Sequence, residues 1–133
     1  MNHFKIALIS IVLGTSTGLS TLFLIPSDYE LMVWVILIIT LAWSSLKLFQ
    51  QKLFWNSFLF SIATGAIITV THLLFIDAYL QSHPTEIKML DTIKIFDSYT
   101  LTLLLLGPIY WLILASISGL IVKVYTRLKI PSS

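Results

Sequence analysis

Four long apolar segments dominate this chain and constrain how it can fold. In chain order they are Ile6–Ile25, Leu31–Phe49, Phe54–Leu80 and Leu101–Val122. About 20 apolar residues are enough for a helix to cross a hydrocarbon core of about 30 Å. Helices satisfy their own backbone hydrogen bonds in lipid, and no segment alternates polar and apolar residues as barrel strands do. The sequence therefore predicts an all-α, integral membrane four-helix transmembrane bundle, with residues 1–133 as a single domain.

The composition excludes most other classes of protein. Hydrophobic residues make up 57% of the chain and charged residues 11%, with a mean hydropathy of +0.95. Soluble domains carry about 25% charged residues, so a soluble globule, a disordered chain and a coiled coil are not indicated. The chain has no cysteine, which excludes disulfides, thiol chemistry and thiolate metal sites. The basic residues are scattered between apolar blocks, so nucleic acid is not an expected partner, whereas the lipid bilayer is.

The first apolar segment has two possible interpretations. Lys5, the apolar run Ile6–Leu13 and the small residues Gly14–Gly18 resemble the three regions of a cleaved signal peptide. However, apolar character resumes at Leu19 and continues to Ile25, which gives a segment of full spanning length. A retained first span is the preferred interpretation, and cleavage would leave three spans in the same orientation.

The charged residues are distributed unequally between the two ends of the predicted bundle. One end carries six basic residues and no acidic residue: Lys5, Lys47, Lys52, Lys123, Arg127 and Lys129. The other end carries five acidic and two basic residues: Asp28, Glu30, Glu86, Lys88, Asp91, Lys94 and Asp97. Lys and Arg are enriched in the cytoplasmic loops of membrane proteins, so both termini are predicted to be cytoplasmic.

The connection between the third and fourth spans is predicted to contain an amphipathic helix over residues 84–96. Pro84 and Glu86 are typical of a helix start, and apolar residues then recur about every three positions. Two roles are open for this helix. It either lies in the membrane interface as an amphipathic helix or covers the outer end of the bundle.

Small residues occur at four-residue spacing in the predicted spans, most clearly at Gly14, Gly18, Gly65 and Gly119. Lipid gives helices no hydrophobic reason to associate, so close backbone approach at small residues favours packing. These glycines are therefore predicted to pack helices within the bundle, with a subunit contact as the alternative. Gly107 and Pro108 are predicted to loosen or kink the fourth span, because proline removes a backbone donor.

The third span carries the most distinctive polar side chains. Thr69, His72, Tyr79 and His83 follow helical spacing and share one face. A proton path, a haem ligand or a metal site would suit such a stripe. On a straight helix, however, His72 and His83 stand roughly 16 Å apart, too far to share an ion. The preferred interpretation is therefore a structural His72, hydrogen-bonded to a hydroxyl or carbonyl of a neighbouring helix.

Asp77 is the only acidic residue inside a predicted apolar segment. Intramembrane acids are functional candidates, but Asp77 lies only about one turn from the predicted end of the span. It is expected to reach headgroup water or to pair with Lys88 or Lys94, and a functional role is the alternative. The sequence contains no nucleotide-binding, metalloprotease or serine-hydrolase motif, so neither an enzyme nor a cofactor is expected.

The layout resembles an uncharacterised bacterial family of small four-helix membrane proteins, a domain of unknown function. The resemblance rests on the glycine-containing first span, the connection 47–56, the stretch 75–80, Gly107-Pro108 and Ser118-Gly119 before a basic tail. It implies an inner-membrane location and supplies no activity or site residues.

The predicted function is a structural or accessory membrane component that acts through helix packing, as a homo-oligomer or within a larger complex. The alternative is a small transporter or channel subunit that uses the polar stripe on the third span. A cavity that reaches His72 would favour the alternative, and a His72 packed without water would favour the accessory role.

Overall fold

The computed structural model describes residues 3–93 and 98–129. These residues form six α-helices and one short 3-10 turn, with no strand among them. The helices are α1 His3–Phe23, α2 Glu30–Leu48, α3 Leu53–Leu74, α4 Ile76–Ser82, α5 Pro84–Ile93 and α6 Tyr99–Lys129, and the turn is Ser27–Tyr29. Helices α1, α2, α3 and α6 are long and apolar enough to cross a membrane. The predicted all-α four-helix bundle is confirmed.

Several of the predicted span boundaries differ from those of the structure, most clearly in α1 and α6. Helix α1 ends at Phe23 rather than Ile25, because the N–H groups of both Leu24 and Ile25 turn back to the Ser20 carbonyl before Pro26. Proline disfavours a helical conformation in the residue before it, which explains the early end. Helix α6 is longer than predicted at both ends, since polar and basic residues can continue a helix beyond the hydrocarbon.

The third predicted span, 54–80, is not one helix. Helix α3 ends at Leu74, and Phe75 leaves the helical conformation with φ −116° and ψ 40° before α4 begins. The sequence has no proline or glycine at this position that would indicate the break. The Phe75 ring packs edge-on against Phe23 of α1, with centroids 5.8 Å apart, so a tertiary contact accompanies the interruption.

Helix α3 lies at the centre of the bundle and packs chiefly against α1 and α6, while α2 packs on α6 and α3. Gly18 of α1 meets Thr71 near the end of α3, so these two helices run in the same direction. Gly119 near the end of α6 meets Phe54 at the start of α3, so that pair is antiparallel. The six basic residues counted in the sequence therefore share one end, hereafter the basic end, and the acid-rich connections share the opposite, acidic end.

The centre of the bundle is filled by side chains. The buried apolar cluster consists of Leu37, Leu41, Phe49, Phe60, Ile68 and Trp111. Nearer the basic end, Ser57 of α3 and Ser118 of α6 are both fully buried, and their hydroxyl oxygens lie 3.1 Å apart in a hydrogen bond. A cavity of about 380 Å³ lies between α3 and α6 against Thr69 and Trp111.

The glycines of α1 permit its close approach to α3. A Cβ atom at Gly14 would lie 2.7 Å from Ile67 Cβ and 2.9 Å from the Thr64 carbonyl oxygen, and one at Gly18 would lie 2.9 Å from Thr71 Cβ. Real Cβ atoms do not approach other atoms this closely, so a side chain at either position requires α1 to move. Both glycines face a helix of the same chain, as the intramolecular packing prediction requires.

Replacing Gly14 or Gly18 with leucine is expected to destabilise the protein by about 1–3 kcal/mol through overpacking. Ala7→Leu is the matched control, because Ala7 lies on the same helix and is exposed. Thermal unfolding in detergent measures the difference. Equal midpoints for Gly14→Leu, Gly18→Leu and Ala7→Leu would mean that the α1–α3 contact is not tight.

The connection at the acidic end contains the predicted amphipathic helix, now α5. Within this helix Leu90 is buried and Ile87 is half-buried, while Lys88 and Asp91 are exposed. The structure describes this helix as far as Ile93, so the end of the predicted range 84–96 lies outside the described residues. Helix α5 follows α4 directly and lies over the acidic end of the bundle.

Helix α6 continues through Gly107 and Pro108 without interruption. A Cβ atom at Gly107 would lie 3.1 Å from Thr69 Oγ1, so this glycine marks a second close approach to α3. Pro108 has no N–H to donate to a carbonyl of the preceding turn. Because the helix is continuous here, the loosening expected from the sequence stays a prediction.

Candidate functional site

A cavity of about 510 Å³ opens into the acidic half of the bundle. Helices α2, α3, α4, α5 and α6 all contribute to its wall. Its polar and aromatic lining includes Glu30, Trp34, Thr69, His72, Tyr79, Glu86, Tyr110 and Trp111. Along α6 the lining reaches Leu114, about 22 Å from Tyr99 at 1.5 Å per residue. The cavity therefore extends from the acidic end well into the length of the apolar helices.

His72 is held at the cavity wall by a hydrogen bond to α1. Its Nε2 atom lies 2.9 Å from Thr21 Oγ1. The Thr21 hydroxyl lies 3.0 Å from the Gly18 carbonyl oxygen and 3.1 Å from that of Thr17, and it donates to these carbonyls. It must therefore accept from His72, which places a proton on Nε2. This is the hydrogen bond to a neighbouring helix that the sequence predicts for His72.

Three aromatic rings stack at the end of α3 and along α4. The ring centroids of His72 and Tyr79 are 4.9 Å apart, and those of Tyr79 and His83 are 4.4 Å apart. The His72 and His83 centroids are separated by only 6.4 Å. The predicted separation of roughly 16 Å is wrong, because the helix breaks at Phe75 and ends before His83.

His83 is completely buried and has its imidazole oriented by the backbone. Nδ1 lies 3.1 Å from the Tyr79 carbonyl oxygen and 2.8 Å from Ser82 Oγ. A carbonyl oxygen only accepts, so Nδ1 carries the proton. Nε2 faces Glu30 Oε2 at 3.7 Å, too far for a hydrogen bond. A second proton on the imidazole or on Glu30 makes this contact attractive.

Glu30 also lies beside Glu86 at the mouth of the cavity, and the Trp34 indole is on its other side. The Glu86 Oε2 atom is buried without a hydrogen-bond partner in the described part of the chain. Together with His83, these two residues form a cluster of three titratable groups, hereafter the carboxyl–imidazole cluster.

The deep wall of the cavity is rigid and aromatic. Trp111 donates a hydrogen bond of 2.6 Å from Nε1 to Thr69 Oγ1, and its ring meets Trp34 edge-on with centroids 5.2 Å apart. The indole rests on Gly65 of α3, where any side chain would occupy the same space. Thr69, predicted as part of the polar stripe, therefore holds the Trp111 indole in the deep wall of the cavity.

Asp77 does not belong to this site. It lies in the first turn of α4, is exposed, and does not line the cavity. Over residues 3–93 and 98–129 it makes no ion pair with Lys88, and Lys94 is outside the described residues. The break at Phe75 places Asp77 beyond the end of α3, on the exposed surface at the acidic end.

Some residues of the site could be predicted from the sequence and others could not. The stripe of Thr69, His72 and Tyr79 is brought together around one cavity. Glu30 and Glu86 were indicated only as charges outside the spans, and nothing in their spacing suggested that they meet. A weak signal was available, since each is an acid in the first turn of a helix at the acidic end.

Comparisons with known proteins add no further assignment at this point. No protein family matches the chain, and neither does any curated protein or solved structure. The function therefore has to be argued from the cavity and its lining.

Proposed function

We propose that this chain is a non-enzymatic, multi-pass membrane protein that binds a small solute in the acidic-end cavity, as a small transporter or the solute-binding subunit of one. The observation that carries this proposal is the cavity of about 510 Å³ that reaches His72. A purely structural bundle gains nothing from such a space, because unfilled volume and buried titratable groups both cost stability.

The carboxyl–imidazole cluster supports a coupled role. The carboxyl groups of Glu30 and Glu86 line the cavity and the His83 imidazole lies beside Glu30, so a charged solute that arrives or leaves changes the electrostatic field on all three groups. Intramembrane titratable groups that line a cavity are typical of proton relays in transporters. His72 extends the titratable surface deeper along the same wall.

The proposed location is the bacterial inner membrane, with both termini in the cytoplasm and the acidic end outside. The unequal distribution of Lys and Arg between the two ends supports this orientation. The resemblance to small four-helix bacterial membrane proteins supports the same location. In this arrangement the cavity opens away from the cytoplasm.

A structural or accessory role is the second candidate. The observation in its favour is the close packing of α3 against α1 and α6, where glycine contacts and the Ser57–Ser118 hydrogen bond join these helices. In this role the protein acts through contacts with a second copy or a larger membrane complex, and the cavity is filled by the partner or by lipid.

Reconstitution into liposomes that contain a pH-sensitive dye separates the two candidates. Under an imposed pH gradient, we expect the parent protein to pass protons faster than empty liposomes. His72→Gln and Glu30→Gln are expected to lose this flux, because each removes a titratable group from the cavity wall.

Asp77→Asn is the matched control, since it removes an acid at the same end that does not line the cavity. It is expected to retain the flux of the parent. Identical dye responses from parent-containing and empty liposomes would contradict the transport step and favour the accessory role.

A further inference from the structure

The geometry points to the class of solute: we infer that the cavity recognises an organic ammonium ion that carries at least one N–H group and an apolar, aromatic-sized body. This inference rests on the proposed function, since it names the ligand of the same cavity. Three features of the wall carry it, namely its charge, an unsatisfied acceptor and its aromatic residues.

The charge of the wall excludes anions and favours cations. Three carboxyl side chains line the cavity, those of Asp28, Glu30 and Glu86, and the described lining contains no lysine or arginine. A carboxylate that is partly removed from water needs a counter-charge or a proton. A bound cation supplies that counter-charge.

The unsatisfied acceptor selects an N–H donor. Glu86 Oε2 is buried and has no hydrogen-bond partner within the described residues, although Glu86 itself lines the cavity. His83, which is fully buried, turns its Nε2 atom toward Glu30 without reaching it. A primary ammonium ion placed between the carboxyl groups supplies short, charge-assisted hydrogen bonds, which a quaternary ammonium ion cannot do.

The aromatic wall supplies the contacts for the body of the ligand. Beyond the carboxyl groups the cavity passes between Trp34, Tyr110 and Trp111 and ends at Leu114. Aromatic faces attract cations and pack well against aromatic or aliphatic groups. The carboxyl groups lie at the mouth and the aromatic rings lie deeper, so an amphipathic cation fits with its ammonium group outward.

A series of three related ligands tests the inference by isothermal titration calorimetry on the full chain in uncharged detergent. The ligands are 2-phenylethylammonium, 2-phenylethanol and 3-phenylpropanoate, which differ mainly in charge at the same end. We expect the ammonium ion to bind at least about tenfold more tightly than the alcohol, as one charge-assisted hydrogen bond implies. The carboxylate is expected to bind most weakly.

Two variants locate the charge preference. Glu86→Gln is expected to reduce the preference for the ammonium ion over the alcohol to near unity. Asp77→Asn is the matched control and is expected to leave it unchanged. If Glu86→Gln does not fold, the ligand series on the parent protein still decides the question.

The outcomes separate this inference from the proposed function. Equal binding of the ammonium ion and the alcohol, or tighter binding of the carboxylate, would overturn the ammonium preference and leave the cavity as a binding site. Binding of none of the three ligands would contradict the proposed function itself.

The ammonium group has two possible sources, a free solute and the headgroup of phosphatidylethanolamine. Repeating the titration with 2-phenylethylammonium in bilayer nanodiscs distinguishes them. Weaker binding with phosphatidylethanolamine than with phosphatidylcholine alone would assign the site to the lipid headgroup. Equal binding in both bilayers would assign it to a free solute, and either result supports recognition of an N–H ammonium ion.

Discussion

Gly65→Ala is expected to destabilise the protein by about 3 kcal/mol, at the upper end of overpacking costs. A Cβ atom at this position would lie inside van der Waals contact with Trp111 Cδ2 and 2.5 Å from Cε3 and Cγ. The Trp111 indole cannot move away without losing contacts, because Nε1 is hydrogen-bonded to Thr69 and the ring is packed against Trp34. Adding one methyl group therefore forces α3 and α6 apart.

Unfolding in detergent with a double-mutant cycle measures this effect and its cause. In a Trp111→Leu background the smaller side chain leaves room, so Gly65→Ala is expected to cost much less than in the parent. A cost within about 0.5 kcal/mol in the parent, as for an ordinary surface substitution, would mean that the indole does not rest on Gly65.

The four long helices could be predicted from the sequence because each apolar segment is recognised by its local composition. The apolar segments could only be helices in lipid, and the charges at their ends indicated where they stop. The spacing of small residues also indicated the close contacts, since Gly14, Gly18 and Gly119 all lie against another helix.

The break at Phe75 was beyond sequence reasoning because neither proline nor glycine marks it. It is accompanied by a contact with Phe23, which is distant in the chain. Because the helix is interrupted, Asp77 lies beyond the end of α3 and the His83 ring lies beside Tyr79. The sequence drew attention to Asp77, which lies in an apolar run, and not to Glu30, which lies at the border of one.

The carboxyl–imidazole cluster was missed for a related reason. Glu30 begins α2 and Glu86 lies in the first turn of α5, and these helices meet only because α4 and α5 fold over the acidic end. No periodicity connects residues on separate helices. The stripe on the third span was visible because its members share one helical face, which is a local property.

Cysteine labelling will show an effect that is nearly all-or-none, because the chain has no cysteine of its own. The variants are Thr85→Cys at the mouth of the cavity, Leu106→Cys on its wall, and Leu105→Cys as the adjacent, exposed residue that does not line it. A thiol that faces lipid does not ionise and does not contact a water-soluble reagent. Labelling of two adjacent positions at the same depth therefore differs only if one of them is exposed to water.

The central claim is that an aqueous cavity enters the membrane from the outside, and a membrane-impermeant thiol reagent added to intact cells tests it directly. We expect Thr85→Cys and Leu106→Cys to react, while Leu105→Cys and Leu128→Cys at the basic end stay unlabelled. Protection of Leu106→Cys while Thr85→Cys reacts would contradict the cavity. Labelling of Leu128→Cys with protection of Thr85→Cys would contradict the orientation.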